Sequence, residues 1–236
     1  MNLILLLDTD FIADNCVKLY GRRFEHIRTV HQVEVGSRLN VGLLNGSIGT
    51  GLIEQIDNQQ VILTTSLDVL PPPRLPINLI IALPRPKMLK RILQTCATMG
   101  VKKIIFLNSY RVEKSYWQTP LLSKEKINEQ LILGLEQAKD TILPEIILEK
   151  QFKPFVEDHL PTLCKETISL VAHPESATRC PYNLQEPATL VIGPEGGLIP
   201  YEIRKLNQAG CKSVHVGERI LRVETAVTSL LTRLYL

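Results

Sequence analysis

Three short stretches set glycine, proline, charge or imidazole at the point where an apolar run stops. They are "SLVAHP" (169–174), "LVIGPEGG" (190–197) and "VHVGERILRVETA" (214–226). Glycine carries no Cβ, so such turns expose backbone N–H and C=O groups to a ligand that approaches closely. In open parallel sheets ligands bind beyond the carboxyl ends of the strands, which makes the three turns candidates for one shared site. Neither G-x-x-x-x-G-K-[ST] nor G-x-G-x-x-G is present, so a phosphate cradle is poorly supported. A ligand read by backbone hydrogen bonds, such as an adenine ring with a thioether tail, is equally compatible.

The elements that must position these turns follow from pattern. "INLIIAL" (77–83), "KKIIFLN" (102–108), "TISLVAHP", "ATLVIGPEGG" and "SVHVGERILR" read as strands. "KMLKRILQTCATMG" reads as a helix capped by Gly100, and "SKEKINEQLILGLEQAKDT" (123–141) as a helix with Ser123 at its N-cap. "YEIRKLNQAG" and "VETAVTSLLTRLYL" are the last two helices. Strands alternating with helices imply an α/β fold, a parallel sheet covered on both faces.

The first 70 residues differ. "RLNVGLLNG", "GTGLIEQID" and "QQVILTTSL" are short strands bounded by Gly, Asn and Asp turns, with a more helical "GRRFEHIRTV" (21–30) before them, a density that suggests a small barrel. "VLPPPRLP" then interrupts the pattern, because consecutive prolines continue neither sheet nor helix interior. The expected domains are therefore 1–72 and 73–236.

The chain has 236 residues, 44% apolar and 22% charged, and apolar runs far too short to span a bilayer. "MNLILLLDTD" has no basic leader and meets acid at Asp8, which argues against a signal peptide. Five scattered cysteines without a C-x-x-C pair suggest neither a zinc site nor a disulfide framework, and fit a reduced, cytoplasmic protein. The formal net charge of +3 conceals a segregation. Residues 71–112 hold Arg74, Arg85, Lys87, Lys90, Arg91, Lys102, Lys103 and Arg111 and no carboxylate. Such a stretch suits a polyanionic partner, since each neutralised phosphate releases counterions.

"IGPEGGLIPYEI" (192–203) followed by "VGERILRVETAV" (216–227) resembles the paired signature of the 16S ribosomal RNA uridine-N3 methyltransferases of the SPOUT superfamily. The resemblance extends to "RRFEHIRTVHQVEVGSRLNVGLLNG", "PRPKMLKRILQTCATMGVKKI" and "GLEQAKDTILPEI". It implies a PUA-like RNA-binding β-barrel, then a SPOUT-type parallel sheet whose C-terminal segment threads a deep trefoil knot. It implies S-adenosyl-L-methionine as methyl donor and no metal. It further implies a homodimer in which each site borrows from the partner chain, and 16S ribosomal RNA in the assembled small subunit as partner. The final helix offers Val227, Leu230, Leu231 and Leu234 as an interface stripe; from pattern alone an intramolecular core helix is equally good.

Carried over position by position, the resemblance assigns the cofactor pocket to Val171, Ala172 and His173, to Ile192, Gly193, Pro194, Glu195, Gly196 and Gly197, and to Val216, Gly217, Ile220, Leu221 and Arg222. Arg222 would stabilise the charge that develops on uracil O2 and O4. Glu195 or Glu224 would act as base or orient the turn, the orienting role being preferred for Glu195, and Thr225 would bond cofactor or base. RNA contacts fall to Arg22, Arg23, His26, Arg28, Arg85, Lys87, Lys90, Arg91 and Arg111. Trp117 offers a stacking surface, though packing is the commoner role. The sequence departs from the family at His31-Gln32, Met99 and Asp140, in regions assigned to RNA. That leaves open another ribosomal or transfer RNA nucleotide as substrate, or a non-catalytic RNA-binding assembly factor.

Overall fold

A computed structural model describes residues 2–31 and 33–236, with Val30 and His31 described in their backbone alone. Gln32 and the His31 side chain, one of the departures above, lie outside the described residues. The chain forms two compact units. One comprises Met1–Pro73 with Leu131–Leu143; the other comprises Arg74–Gln130 and Pro144–Leu236.

The first unit is a six-stranded sheet built from β1 (Ile4–Leu6), β2 (Phe11–Ala13), β3 (Cys16–Tyr20), β4 (Arg38–Leu43), β5 (Ile48–Ile56) and β6 (Gln60–Val69), in the order β1-β4-β5-β6-β3-β2. All pairings are antiparallel except β1 with β4. Alternate residues point to one face: Val17 and Leu19 of β3 and Val61 and Leu63 of β6 are wholly buried beside Phe24 and Ile27. The Asn45-Gly46 turn joins β4 to β5, with Asn45 at φ +61°. Asp57 shapes the next turn by accepting the Gln59 and Gln60 N–H groups at 2.7 and 2.9 Å. In the expected helix, α1 (Gly21–His26) stops early and widens into a π-type turn over Ile27–His31.

Residues 131–143 join this unit through backbone bonds. The Glu136 carbonyl accepts the N–H groups of Asn2 and Leu3, and Asn45 donates to the Thr141 carbonyl. Asp140 is buried and its Oδ1 accepts the Ile142 N–H at 3.0 Å. Its side chain is therefore turned inward, where it serves the local backbone.

The second unit runs β7 (Ile77–Ala82), α2 (Pro86–Thr98), β8 (Lys103–Leu107), α3 (Lys124–Ala138, its second half counted with the first unit), β9 (Glu145–Glu149), α4 (Phe152–Pro154), α5 (Leu160–Cys164), β10 (Ile168–Ala172), β11 (Ala188–Ile192), α6 (Pro200–Gln208), β12 (Lys212–Val214) and α7 (Val223–Tyr235). The sheet order is β12-β10-β11-β7-β8-β9 and every pairing is parallel. Helix α2 buries Leu89, Ile92, Leu93, Cys96 and Ala97 at helical spacing. It ends at Gly100 with φ +81°, the left-handed cap that only glycine enters without cost. Ser123 caps α3, its Oγ accepting the Lys126 N–H at 3.3 Å.

One expectation changes and one open choice closes. The strand read from "SVHVGERILR" shrinks to Lys212–Val214. Its neighbour β10 ends at Ala172, and beyond Val214 the strand-like pairing continues only at His215, which bonds to Thr178 and Cys180 among the described residues. Val227, Leu230, Leu231 and Leu234 of α7 are buried within the chain itself, so this stripe is intramolecular core. No helix among the described residues is long and apolar enough to cross a membrane.

Candidate functional site

Register brings the expected loops together. Ala172 pairs with Ile192 and Val214, Ile192 with Ile81, and Ala82 with Leu107. Five strands therefore end in one line, and the turns after them wall a cavity of about 1380 Å³. Ala172, His173, Ile192, Gly193, Pro194, Glu195, Gly196, Gly197, Val216, Gly217, Ile220, Leu221, Arg222 and Glu224 all line it. Val171 does not: it points into the core, wholly buried, and Thr225 faces solvent off the cavity.

The glycine turn is held from three sides. Glu195 Oε1 accepts both the backbone N–H and the Nε–H of Arg85 at 3.2 Å. Arg85 is the N-cap of α2, so the carboxylate also meets the positive end of a helix. Arg111 donates from Nη1 to the Gly196 carbonyl. Glu202, 2% exposed, accepts the Tyr110 N–H at 2.7 Å and the Ile199 N–H at 3.0 Å. Its second bond is half a capping box, because Ile199 has no side-chain oxygen to return it. Glu202 thereby ties the loop carrying Arg111 to the start of α6. It was not singled out above, although Pro200 at the first helical position and an acid three residues into the helix were legible signals.

The glycines divide by what they do. A Cβ on Gly193 would lie 2.9 Å from Leu198 Cγ, and one on Gly196 would lie 3.1 Å from Arg111 Cδ, so packing explains both. A Cβ on Gly217 would meet nothing within 4 Å. The fold itself therefore does not need glycine there, and the space beside it is open. Ile220 beside it is 84% exposed, an apolar side chain at the lip with nothing covering it.

The charged groups are unevenly committed. Arg85, Lys87, Arg91, Arg111, Arg204, Arg219 and Arg222 line the cavity against Glu175, Glu195 and Glu224, which gives it a positive field. The Arg222 guanidinium makes no hydrogen bond or ion pair among the described residues, and neither does the Glu224 carboxylate. Lys90 lies on the exposed side of α2, away from the cavity.

The other RNA candidates belong to the first unit. Arg23 is a structural residue: it donates to the Leu5 carbonyl and forms a two-pronged pair with Asp10, its side chain 14% exposed and that of Asp10 2%. Arg22 makes a two-pronged pair with buried Glu136 at 2.9 and 3.0 Å while remaining half exposed. Arg28 bonds Glu25 and lies over the Phe24 ring, and His26 is half-buried. Trp117 donates from Nε1 to Asn108 Oδ1 at 2.9 Å.

Comparison with known proteins agrees with this geometry. The ribosomal RNA small subunit methyltransferase E of Treponema pallidum is 28% identical over 230 residues, covering 94% of this chain and 86% of its own. The fold matches a Legionella pneumophila protein solved with bound S-adenosylmethionine (TM-score 0.76, 24% identity, 98% of this chain and 95% of that one). It also matches the ribosomal RNA small subunit methyltransferase E of Neisseria gonorrhoeae bound to the same molecule (TM-score 0.72, 21% identity, 98% and 94%). The parallel sheet thus has the α/β fold of these two proteins. Residues 71–235, most of the chain and all of the cavity, match the model of the RNA methyltransferase domain, and the chain belongs to that family.

Proposed function

We propose that the chain methylates N3 of a uridine in 16S ribosomal RNA of the small subunit, with S-adenosyl-L-methionine as donor. The observation that carries the reading is the convergence of five strand ends on a cavity of about 1380 Å³ that combines apolar walls, a glycine turn and an uncommitted arginine. The residues fit such a cofactor. Leu198, Ile220 and Leu221 offer apolar faces to an adenine, backbone groups of Gly193–Gly197 and Val216–Gly217 offer hydrogen bonds to its edge, and the space beside Gly217 admits close contact. When bound, that group supplies an electrophilic methyl carbon.

The chain's own residues do the rest. Glu195 is engaged by Arg85 and orients the turn. Glu224, on the first turn of α7, is left to take the N3 proton of the uracil. The negative charge then spreads over N3, O2 and O4, where Arg222 can donate two hydrogen bonds and keep its own charge. The rim formed by Arg85, Lys87, Arg91 and Arg111 attracts the RNA backbone.

The same reading includes the PUA-like barrel of residues 1–72, the SPOUT domain of 73–236, the homodimer, the assembled small subunit as substrate and a cytoplasmic location. It also includes the knot. In its support, segment 173–187 grips the end of α7: Asn183 and Leu184 donate to the Arg233 and Leu234 carbonyls, and Arg233 Nε donates to the Cys180 carbonyl at 2.6 Å.

Nucleoside mass spectrometry of ribosomal RNA from a deletion strain, complemented with wild type or Arg222→Ala, tests the activity. The expected result is 3-methyluridine restored by wild type alone. Absence of 3-methyluridine from every RNA, with the cofactor bound in calorimetry, would overturn it.

A further inference from the structure

A second cavity of about 500 Å³ opens beyond the carboxyl ends of β8 and β9, where Asn108 donates to the Glu149 carbonyl at 2.8 Å. Its size is within the range of small-ligand pockets, roughly 300–1,000 Å³. We propose that it holds one unstacked nucleotide of single-stranded RNA, next to the nucleotide that enters the first cavity. This rests on the reading of the chain as acting on RNA.

Three features point to a nucleotide. Tyr110 and Tyr201 line the cavity at 78% and 40% exposure, together with half-buried Trp117, so aromatic faces are available for stacking. Lys114 and Lys150 also line it, and neither has a carboxylate partner among the described residues. Lys153 adds a third cation, only loosely paired with Glu157 at 4.0 Å. The single lining carboxylate, Glu202, already has both oxygens bonded to backbone N–H groups. Finally, Ser109 lines the cavity, is 3% exposed, and its hydroxyl has no hydrogen-bond partner among the described residues. A buried hydroxyl left unmet is costly, and a small rotation would offer it to the edge of a base, which presents both donors and acceptors.

The two cavities share walls. Tyr110 faces the second and Arg111 the first; Ile199 and Tyr201 face the second, while Leu198, Pro200 and Arg204 face the first. Consecutive residues are only about 3.8 Å apart in Cα position, so the two sites are separated by the thickness of one chain segment. Adjacent nucleotides of one strand can therefore occupy both, with the phosphate between them near Arg111. The subsite would select an unpaired strand, since a base must leave its stack to enter.

The test uses the full chain and two variants, the double variant Lys150→Ala with Tyr201→Ala, and Ser109→Ala, which removes one oxygen and keeps the fold. Binding of labelled decauridylate is followed by anisotropy across a salt series, with uridine monophosphate as competitor. Methyl transfer to ribosomal RNA from a deletion strain and calorimetric titration with S-adenosylmethionine run in parallel. The double variant should bind decauridylate about tenfold to a hundredfold more weakly. The slope of log K against log salt should fall by about 0.7 for the lost lysine. Cofactor affinity and melting temperature should hold, and Ser109→Ala should weaken binding severalfold. Wild-type affinity and slope in folded variants would overturn the subsite, as would uridine monophosphate binding as tightly as the strand. If wild type binds decauridylate through Lys150 yet methylates no RNA, the methyltransferase reading fails and the subsite stands.

Discussion

The substitution Glu202→Gln isolates a buried group that braces two walls of the candidate site. In the native chain each carboxylate oxygen accepts one backbone N–H, from Tyr110 at 2.7 Å and from Ile199 at 3.0 Å, in surroundings that leave the residue 2% exposed. Glutamine keeps one acceptor and turns an NH₂ toward the other N–H. The charge-assisted bond gives way to two buried donors facing each other, a loss of about 1–3 kcal/mol for each stranded donor, with the surviving bond weakened to the neutral level of about 1 kcal/mol. Partial relaxation of the loop brings the total to about 3 kcal/mol. For a chain of this size that lowers the melting temperature by roughly 6–12 °C. Glu202→Ala strands both N–H groups and should cost more. Because Tyr110 precedes Arg111 and Ile199 follows the glycine turn, cofactor affinity should fall in the same variant. Scanning calorimetry reads the first effect and titration calorimetry with S-adenosylmethionine the second. A Glu202→Gln protein that melts within about a degree of wild type and binds the cofactor normally would refute the bracing role.

Other outcomes follow from individual contacts. Gly217→Ala should leave melting unchanged, since its Cβ meets nothing, yet weaken cofactor binding at least about tenfold, which corresponds to 1.4 kcal/mol; Gly193→Ala, which meets Leu198, should lower the melting temperature as well, and identical behaviour of the two in both assays would contradict the division drawn between them. Asp10→Ala leaves the half-buried Arg23 guanidinium with the Leu5 carbonyl but without its carboxylate and should destabilise the first unit by about 3 kcal/mol, measured by denaturant unfolding; a loss below ~1 kcal/mol would show the pair to be dispensable. Cys164 and Cys211 lie 3.9 Å apart, and the hydrogen bond from the Cys211 thiol holds Cys164 down to about 6, while the same contact and burial push Cys211 up. Iodoacetamide should therefore label Cys164 near neutral pH; a rate that rises only above pH 8 would exclude this. Between about pH 6 and 9 the folded chain has lost a proton at Cys164 that the unfolded chain keeps, so stability should rise with pH; above 9 the proton retained by Cys211 reverses the slope.

How much of this was legible in the sequence depends on how local the cause is. The strands β4 to β8, β10 and β11 and the helices α2, α3, α6 and α7 follow from period and capping, which act over a few residues. The apolar strand ends and their glycines mark the loops of one site, because a parallel sheet sends all its carboxyl ends to one edge. The paired motifs at 192–203 and 216–227 carry the family. Strands β1, β2, β3 and β9 and the helical segment at 152–164 lacked a comparable signal. Strands β1 to β3 are held by partners such as β4 and β6, far along the chain.

What only the tertiary structure decided is which charged groups are spent and which remain free. Arginine 23 looks like surface charge in "GRRFEHIR" but is consumed by Asp10, whereas Arg222 stays uncommitted at the cavity. Val171 sits in the middle of a motif, yet the strand pleat turns it into the core while Ala172 and His173 reach the site. Glu195 reaches Arg85 across 110 positions and Glu202 reaches Tyr110 across 92. Sequence establishes residue type and local geometry, since those arise from each residue and its near neighbours. Pairings over a hundred positions exist only once the sheet has assembled and its register has brought the loops to one edge.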